Sequence, residues 1–482
     1  MTSSEPHDVL IVLVPGIGGS ELTTSQGESV WRPSRRALAD LFLRPERMAR
    51  ADLRPTRLIA SRTLFPAFGS VPGYEGLLSA LESRFSAGRP ADDGDPAKVR
   101  LGSRVVAFPY DFRASIVDTA QRLNWEVDRR LEALGWSGEP DKVVVVGHSM
   151  GGLVARQWVA QGNWERCRAV VTLGTPFAGA PKALDRLVNG LLPWWLGHGG
   201  ALELLREWPG AHELAPQYRA VHDLTAQADD PVGTCPSDLG LPHIAQRLND
   251  AAAVHTRMNE EWTARMAETA CHAYRSRWHP TLMHATWDGK RLRSSKRRPP
   301  WIQGKDAVEA GDGTVPALAA IPWEQQRFLT TPYVNERHGP MVAAARCIED
   351  IEVLLQGSGP VTTGVRSTDP AIGLDVADAY PAHEPVDVSA EIRPEKYGAS
   401  PDVRLTCVLR RDGDEGPVVH CGPMDTDDGS RWAARLPPLD EGGYWLTVAE
   451  TGAETAPPVS DWLVALGGAG ATESMRTTGS TT

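Results

Sequence analysis

Three residue types that together can open an ester lie in separate turns of this chain. A serine sits in Gly147-His148-Ser149-Met150-Gly151-Gly152, an aspartate in Gly311-Asp312-Gly313-Thr314-Val315-Pro316, and a histidine in Arg337-His338-Gly339-Pro340. A serine hydroxyl is a weak nucleophile until an imidazole takes its proton, and the imidazole needs a carboxylate to fix its tautomer and stabilise its charged form. The pattern Gly147-x-Ser149-x-Gly151 suits the first role. Glycines two positions before and after the serine remove the Cβ atoms that would block a sharp turn and leave the hydroxyl exposed. The pattern alone is weak, because it occurs by chance in roughly a quarter of chains this long and glycine-rich. Context sharpens it: four consecutive valines, 143–146, precede the turn and a helical run, 153–160, follows it.

On such a strand–turn–helix elbow the partners follow in the order serine, acid, histidine. Asp312 comes after Ser149, and of the thirteen histidines only His338, His383 and His420 come after Asp312. The last two fall in a β-rich C-terminal stretch, which leaves His338. His279 and His284 become rivals if the acid lies elsewhere, and Asp312 and His338 taken singly also read as ordinary surface-turn residues. The oxyanion formed on attack needs two backbone N–H groups. Met150, next to the serine, supplies one. Ile17, in the glycine-rich Pro15-Gly16-Ile17-Gly18-Gly19-Ser20 loop, supplies the other.

These turns need rigid elements to hold them. Residues 9–14, 104–108, 142–146 and 168–173 are short apolar runs expected as strands buried on both faces. Helical spacing covers 74–86 and 115–135 between them. The alternation implies a doubly wound, mostly parallel sheet, an α/β class. Residues 178–265 change character to a Trp- and Leu-rich, mainly helical segment, read as a cap over the carboxyl edge of the sheet. Further strands are expected at 270–278, 281–287 and 327–331, with a closing helix over 340–356. The α/β unit then spans 1–358, a Gly/Ser/Thr-rich linker 359–369, and an all-β unit 370–467 with a disordered tail 468–482. Six candidate strands in the all-β unit (385–392, 403–409, 417–421, 431–436, 443–449, 461–465), separated by Asp-Gly and Gly-Gly turns, suggest an immunoglobulin-like sandwich.

Composition narrows the remaining choices. The chain has 482 residues and a formal net charge of -11, which argues against a general nucleic-acid-binding surface. Its six cysteines have no paired spacing, so neither a metal site nor a disulfide framework is expected, and the proposed chemistry needs no cofactor. The first eight residues hold no Lys or Arg, and no stretch reaches the roughly 18 apolar residues of a membrane span. A cytoplasmic location is the expectation. Trp194-Trp195, among Leu191, Leu192 and Leu196, reads either as cap core or as a surface that dips into lipid. The basic run 290–298 is either a solvated loop or a contact for anionic headgroups. Asp111 and Arg113 read as a pair that fixes the loop after the second strand.

The five motifs Val14-Pro15-Gly16-Ile17-Gly18-Gly19-Ser20, Pro109-Tyr110-Asp111-Phe112-Arg113, Gly147-His148-Ser149-Met150-Gly151-Gly152, Leu173-Gly174-Thr175-Pro176-Phe177 and Gly311-Asp312-Gly313-Thr314-Val315-Pro316, in this order, resemble the lecithin:cholesterol acyltransferase family. That family includes lysosomal-type phospholipases A and phospholipid:diacylglycerol acyltransferases. The resemblance covers roughly 9–356. It implies an α/β-hydrolase fold, Ser149, Asp312 and His338 as the catalytic set, Ile17 and Met150 as oxyanion amides, and Trp31 beside the acyl site. Phe177, Trp194 and Trp195 join Trp31 as candidate substrate contacts. One departure is that secreted members staple the segment after the first strand with a disulfide, whereas no cysteine here precedes Cys167. The resulting expectation is serine-dependent acyl transfer or hydrolysis on a lipid ester, with transient membrane contact. A small-ester hydrolase and an idle scaffold that recruits a protein partner through the β unit are the alternatives.

Overall fold

The computed structural model describes residues 8–34, 40, 44–65, 69–85, 103–190, 200–226, 232–263, 270–302, 310–322, 333–355, 369–393, 403–426, 429, 431–452 and 456–467. Its centre is a six-stranded sheet built from β1 (Leu10–Val14), β2 (Val105–Ala107), β3 (Val143–His148), β4 (Cys167–Leu173), β5 (Ala270–Ser276) and β6 (Tyr333–Val334), in the order β6-β5-β4-β3-β1-β2. All neighbours run parallel. Every side chain of β1 and β3 is buried, as expected of strands covered by helices on both faces. Parallel order brings the carboxyl ends of β1, β3, β4 and β5 to one edge, where the turns carrying Ile17, Ser149 and Gly174 emerge.

The helices follow from local chemistry. α1 (Glu75–Phe85) buries Leu77, Leu81 and Phe85. α2 (Ile116–Leu134) starts where the Ser115 side chain accepts the Val117 N–H and stops at Gly135, which takes the left-handed conformation at φ 74°. Ile116, Ala120, Leu123, Val127 and Leu131 form its buried stripe. The Glu213 carboxylate caps the same end, accepting from the Ser115 hydroxyl at 2.6 Å and the Ile116 amide at 2.7 Å. α3 (Met150–Trp158) leaves the serine turn and is buried throughout. α4 (Pro181–Asn189) opens the cap, and α5 (Ala245–Thr263) presses Leu248, Ala251, His255, Met258 and Trp262 inward at helical spacing.

Several expectations need correction. The strand expected at 281–287 covers His284–Trp287 and lies outside the central sheet. His284–Trp287 pairs with Val221–Asp223 and Leu292–Ser295 in a separate four-stranded sheet, so the mainly helical cap also contributes strands. The burial of His284–Trp287 alternates, the mark of a strand covered on one face only. The closing helix is broken at Ala344: a short 3-10 turn, Pro340–Ala343, precedes α6 (Ala345–Leu355). The strand expected at 327–331 lies outside the described residues, as do the tail 468–482 and the linker up to residue 368. A three-stranded sheet (Ser20–Thr23, Ser29–Trp31, Arg54–Leu58) and a hairpin (Thr63–Phe65, Gly69–Val71) were not foreseen.

The C-terminal unit holds β7 (Ala371–Asp375), β8 (Ala379–Pro381), β9 (Val386–Arg393), β10 (Arg404–Arg411), β11 (Val418–Pro423), β12 (Asp425–Thr426), β13 (Arg431–Leu436), β14 (Gly442–Thr451) and β15 (Val459–Leu466). Two sheets, β7-β9-β13-β12 and β8-β15-β14-β10-β11, share one core that includes Leu374, Val388, Leu405, Trp432, Leu446 and Leu463. The Tyr444 hydroxyl donates to the Asp440 carbonyl at 2.8 Å. This unit packs on the α/β unit through a second apolar cluster in which Leu64 meets Trp445, Trp462 and Val464. Among the described residues no helix is long and apolar enough to cross a membrane.

His255 is buried on the inner face of α5. Its Nε2 donates to the Glu213 carbonyl at 2.7 Å, and burial holds its pKa down at about 4 against an ordinary 6.5. The unfolded chain binds a proton below 6.5 while the folded one refuses it until about 4, so stability is lost as pH falls through that window. His255→Gln keeps a donor for the carbonyl and removes the titration. Thermal melts at about pH 7 and about pH 5 are expected to differ less in this variant than in the parent, and an unchanged difference would show that His255 is not held neutral.

Candidate active site

The serine turn is as tight as its sequence demands. Ser149 sits at φ 53°, ψ -124°, a strained conformation for a residue with a side chain. A Cβ on Gly151 would lie 2.2 Å from the Val14 carbonyl oxygen, so α3 can lie against the end of β1 only if that position is glycine. The turn is pinned from β4: the Ser149 amide donates to the Leu173 carbonyl at 2.9 Å, and the Thr175 hydroxyl donates to the Ser149 carbonyl at 3.0 Å.

The acid and the base approach from two later loops. Asp312 Oδ1 accepts the amides of Thr314 at 2.8 Å and Val315 at 2.7 Å, which aims Oδ2 at His338 Nδ1, 2.7 Å away. The His338 amide donates to the Asp312 carbonyl at 2.9 Å, so the two loops are also joined along the backbone. His338 Nε2 lies 3.0 Å from Ser149 Oγ. With Nδ1–H donating to the carboxylate, Nε2 is left to accept the serine proton. Burial pushes the Asp312 carboxyl up. Contact with His338 and the Val315 and Thr314 amides overcomes that push and holds it below its ordinary value.

The oxyanion candidates border the same spot. Met150 is the first residue of α3, so its amide is one of those a helix start leaves without an intrahelical partner. Ile17 lines the cleft beside Ser149. Its loop is held by Gly19 N–H donating to the Gly16 carbonyl at 3.0 Å, and by the Tyr110 hydroxyl donating to the Pro15 carbonyl at 2.9 Å. Arg113 pairs with Asp111 and donates to the Met48 and Arg50 carbonyls, so this pair ties loops together. Val71, Pro72, Leu214 and Val315 make part of the cleft wall apolar.

Two of the expected substrate contacts are elsewhere. Trp31 is 1% exposed and packs edge-on to Phe65 and Phe112, its indole N–H donating to the Gly18 carbonyl at 2.8 Å. It supports the Ile17 loop from behind and does not line the cleft. Phe177 is turned away under the Arg156 guanidinium. Trp194 and Trp195 lie outside the described residues. The basic run 290–298 is partly a strand, Leu292–Ser295, and Lys296 pairs with Asp375 at 2.6 Å.

Three participants were missed. Tyr74 accepts the Gly16 amide at 2.9 Å and lies 2.8 Å from His148 Nδ1, while His148 Nε2 lies 3.1 Å from the His338 carbonyl. This chain of buried groups joins the Ile17 loop to the His338 loop. Burial, then the neighbouring His338, lowers His148 to about 3, so it serves as a neutral link. His148 was visible as the variable residue of the serine motif; nothing in the sequence pointed to Tyr74. Lys182, on the cleft wall, pairs with Asp378 of the C-terminal unit at 2.8 Å.

A parallel sheet flanked by helices, with a serine at the strand–helix turn and a His–Asp pair beside it, fits the α/β-hydrolase fold. Comparison with known proteins agrees at that level. The family described as "PGAP1-like alpha/beta domain" matches residues 118–192. GPI inositol-deacylase A of Yarrowia lipolytica (strain CLIB 122 / E 150) is 29% identical over 211 residues, 38% of this chain and 19% of that protein, so the match spans about a fifth of the relative's length. Among solved structures, the Tle4–Tli4 complex aligns with a TM-score of 0.51 at 16% identity, over 72% of this chain and 98% of that one. None of these descriptions names the acyltransferase family that the motifs resemble.

The strained serine gives a direct test of the turn. Ser149→Gly removes the side chain that opposes φ 53°. It is expected to raise stability by about 1 kcal/mol in denaturant melts, after allowance for glycine's extra chain entropy. A clear loss of stability would mean the turn is not strained as described.

Proposed function

We propose that this chain is a serine hydrolase or acyltransferase acting on lipid esters through an acyl-Ser149 intermediate. The observation that carries the reading is the unbroken line from Ser149 Oγ to His338 Nε2 at 3.0 Å and from His338 Nδ1 to Asp312 Oδ2 at 2.7 Å, at the end of β3. In this reading His338 takes the Ser149 proton as Oγ attacks the ester carbonyl. Asp312 holds the tautomer and stabilises the imidazolium. The Ile17 and Met150 amides receive the oxyanion. His338 then protonates the leaving alcohol, and water or a second alcohol collects the acyl group from Ser149. No metal or cofactor enters these steps.

Lipid is favoured over a small polar ester by the apolar part of the cleft wall and by the partial match to a GPI inositol-deacylase. The five ordered motifs add the lecithin:cholesterol acyltransferase resemblance, and with it transfer as well as hydrolysis. No disulfide joins the six cysteines, all of them described residues, which supports a reducing, cytoplasmic setting. For the C-terminal unit we infer an immunoglobulin-type sandwich. Its two strand orders, with β8 parallel to β15, and the Tyr444 hydroxyl bonded four residues back along the chain are features of that fold. Its outer strand β11 exposes Val418 and Val419, which suits contact with another protein.

A fluorophosphonate probe should label the chain at Ser149, with labelling abolished in Ser149→Ala. Asp312→Asn, which keeps the shape and spoils the tautomer, should lower kcat by roughly 10³–10⁴-fold. On an ester series of rising acyl length, kcat/KM should rise with chain length. Activity confined to short soluble esters would overturn the lipid reading, and product analysis with added alcohol separates transfer from hydrolysis.

A further inference from the structure

The residue before His338 ties the candidate site to the C-terminal unit. Arg337 Nε donates to Asp461 Oδ2 on β15 at 2.6 Å. Nη1 and Nη2 donate to the carbonyls of Leu374 on β7 and Val376 just after it, each at 3.2 Å. All three acceptors belong to the C-terminal unit, and the Arg337 and Asp461 side chains are 6% and 4% exposed. The same guanidinium also backs the acid loop: a Cβ on Gly313, next to Asp312, would lie 2.1 Å from Nη1.

A second path runs parallel to this one. His279 forms a backbone bridge with Gly311, exchanging hydrogen bonds of 3.1 and 3.2 Å, and its ring Nδ1 accepts the Leu374 amide at 3.1 Å. On the same strand, a Cβ on Gly373 would lie 2.3 Å from the Trp278 carbonyl oxygen. β7 and the turn after it therefore lie directly behind both loops, and Asp378, a few residues on, reaches Lys182 on the cleft wall.

We propose that Arg337 is a positioning residue for the acyl-transfer reaction, and that through its pair with Asp461 the C-terminal β unit sets the alignment of His338 and Asp312 on Ser149. This rests on the reading of Ser149 and His338 as nucleophile and base. The physical case is one of specificity. A buried ion pair is a poor source of stability compared with apolar packing, but a planar guanidinium holding three acceptors and abutting a backbone admits one arrangement of the segments it joins. A second contact between the units, Arg62 over the ring of the buried Trp445 at 4.1 Å, joins them away from both loops.

The test uses the full chain and a soluble ester. Arg337→Gln, Arg337→Lys and Asp461→Asn are compared with Trp445→Leu, which loosens the same interface away from the loops. Arg337→Gln and Asp461→Asn are expected to lower kcat by roughly ten- to a hundredfold with little change in KM, since the loss is one of alignment. Arg337→Lys keeps the charge and should recover part of that loss, while Trp445→Leu should lower the melting temperature and leave kcat near the parent value. The far-downfield proton resonance of the His338 ring N–H bonded to Asp312 should weaken in the first two variants and persist in Trp445→Leu. If Arg337→Gln does not fold, Asp461→Asn and Arg337→Lys decide the matter. Parent-like kcat and an intact resonance in Asp461→Asn and Arg337→Lys, or losses that track melting temperature equally in all four variants, would overturn the proposal. Failure of the parent to label at Ser149 would instead sink the catalytic reading, and the resonance would still report whether Arg337 aligns the pair.

Discussion

The imidazole of His338 must touch a hydroxyl at one nitrogen and a carboxylate at the other, and the three groups come from positions 149, 312 and 338 of the chain. Two hydrogen bonds of 2.7 and 3.0 Å cannot by themselves gather segments so far apart in sequence. The ordering entropy has to be met elsewhere, by burial of the sheet and its helices. The arrangement of the rest of the molecule answers to that constraint. β3 and α3 fix the serine, β4 pins its turn, β5 leads into the segment that bridges to the acid loop, and β6 leads into the loop of the base. Parallel order is what makes one edge of the sheet the meeting place.

The loops themselves are tied by buried polar bonds more than by apolar contact. Tyr74 and His148 link the Ile17 loop to the His338 carbonyl, and the Asp312 carbonyl takes the His338 amide. Such groups are costly when unpaired and specific when paired, so they restrict the loops to one relative placement. His148 suits this role because its low pKa keeps it neutral beside an imidazole that has to become charged in the proposed cycle. A charged His148 would oppose that step.

Some of this was open to reading in the sequence and some was not, for physical reasons. The valine-rich strands announce themselves because both faces are buried, and the serine turn does because only glycine fits at its flanks. The strands of the C-terminal unit show through period-two alternation between core and solvent, as in Val386–Arg393. β7 escaped notice because its run Ala371-Ile372-Gly373-Leu374 is buried throughout, one face in its own sheet and the other against the α/β unit, so it shows no alternation. The hairpin Thr63–Phe65 and Gly69–Val71 is too short to leave a periodic signal. Trp31 illustrates the reverse error. The family resemblance placed it beside the acyl site, yet its indole finds a backbone carbonyl, and Phe65 and Phe112 pack on it in a closed cluster completed by Trp208.

A domain attached to an α/β unit can serve as a recruiter alone. Here the attachment enters at the residue beside the proposed base. Ala180, Ala183 and Leu214 line one side of the cleft, the strand Gly69–Val71 another, and Asp378 of the C-terminal unit holds Lys182 on the wall. An apolar cluster alone would let the two units slide by a fraction of an ångström, because dispersion is non-directional. The Arg337–Asp461 pair cannot slide without breaking charge-assisted bonds in a region closed to water. In the proposed reading the accessory unit is thus coupled to the alignment of His338 and Asp312 by direction as well as by area, through Arg337 on one path and His279 on the other.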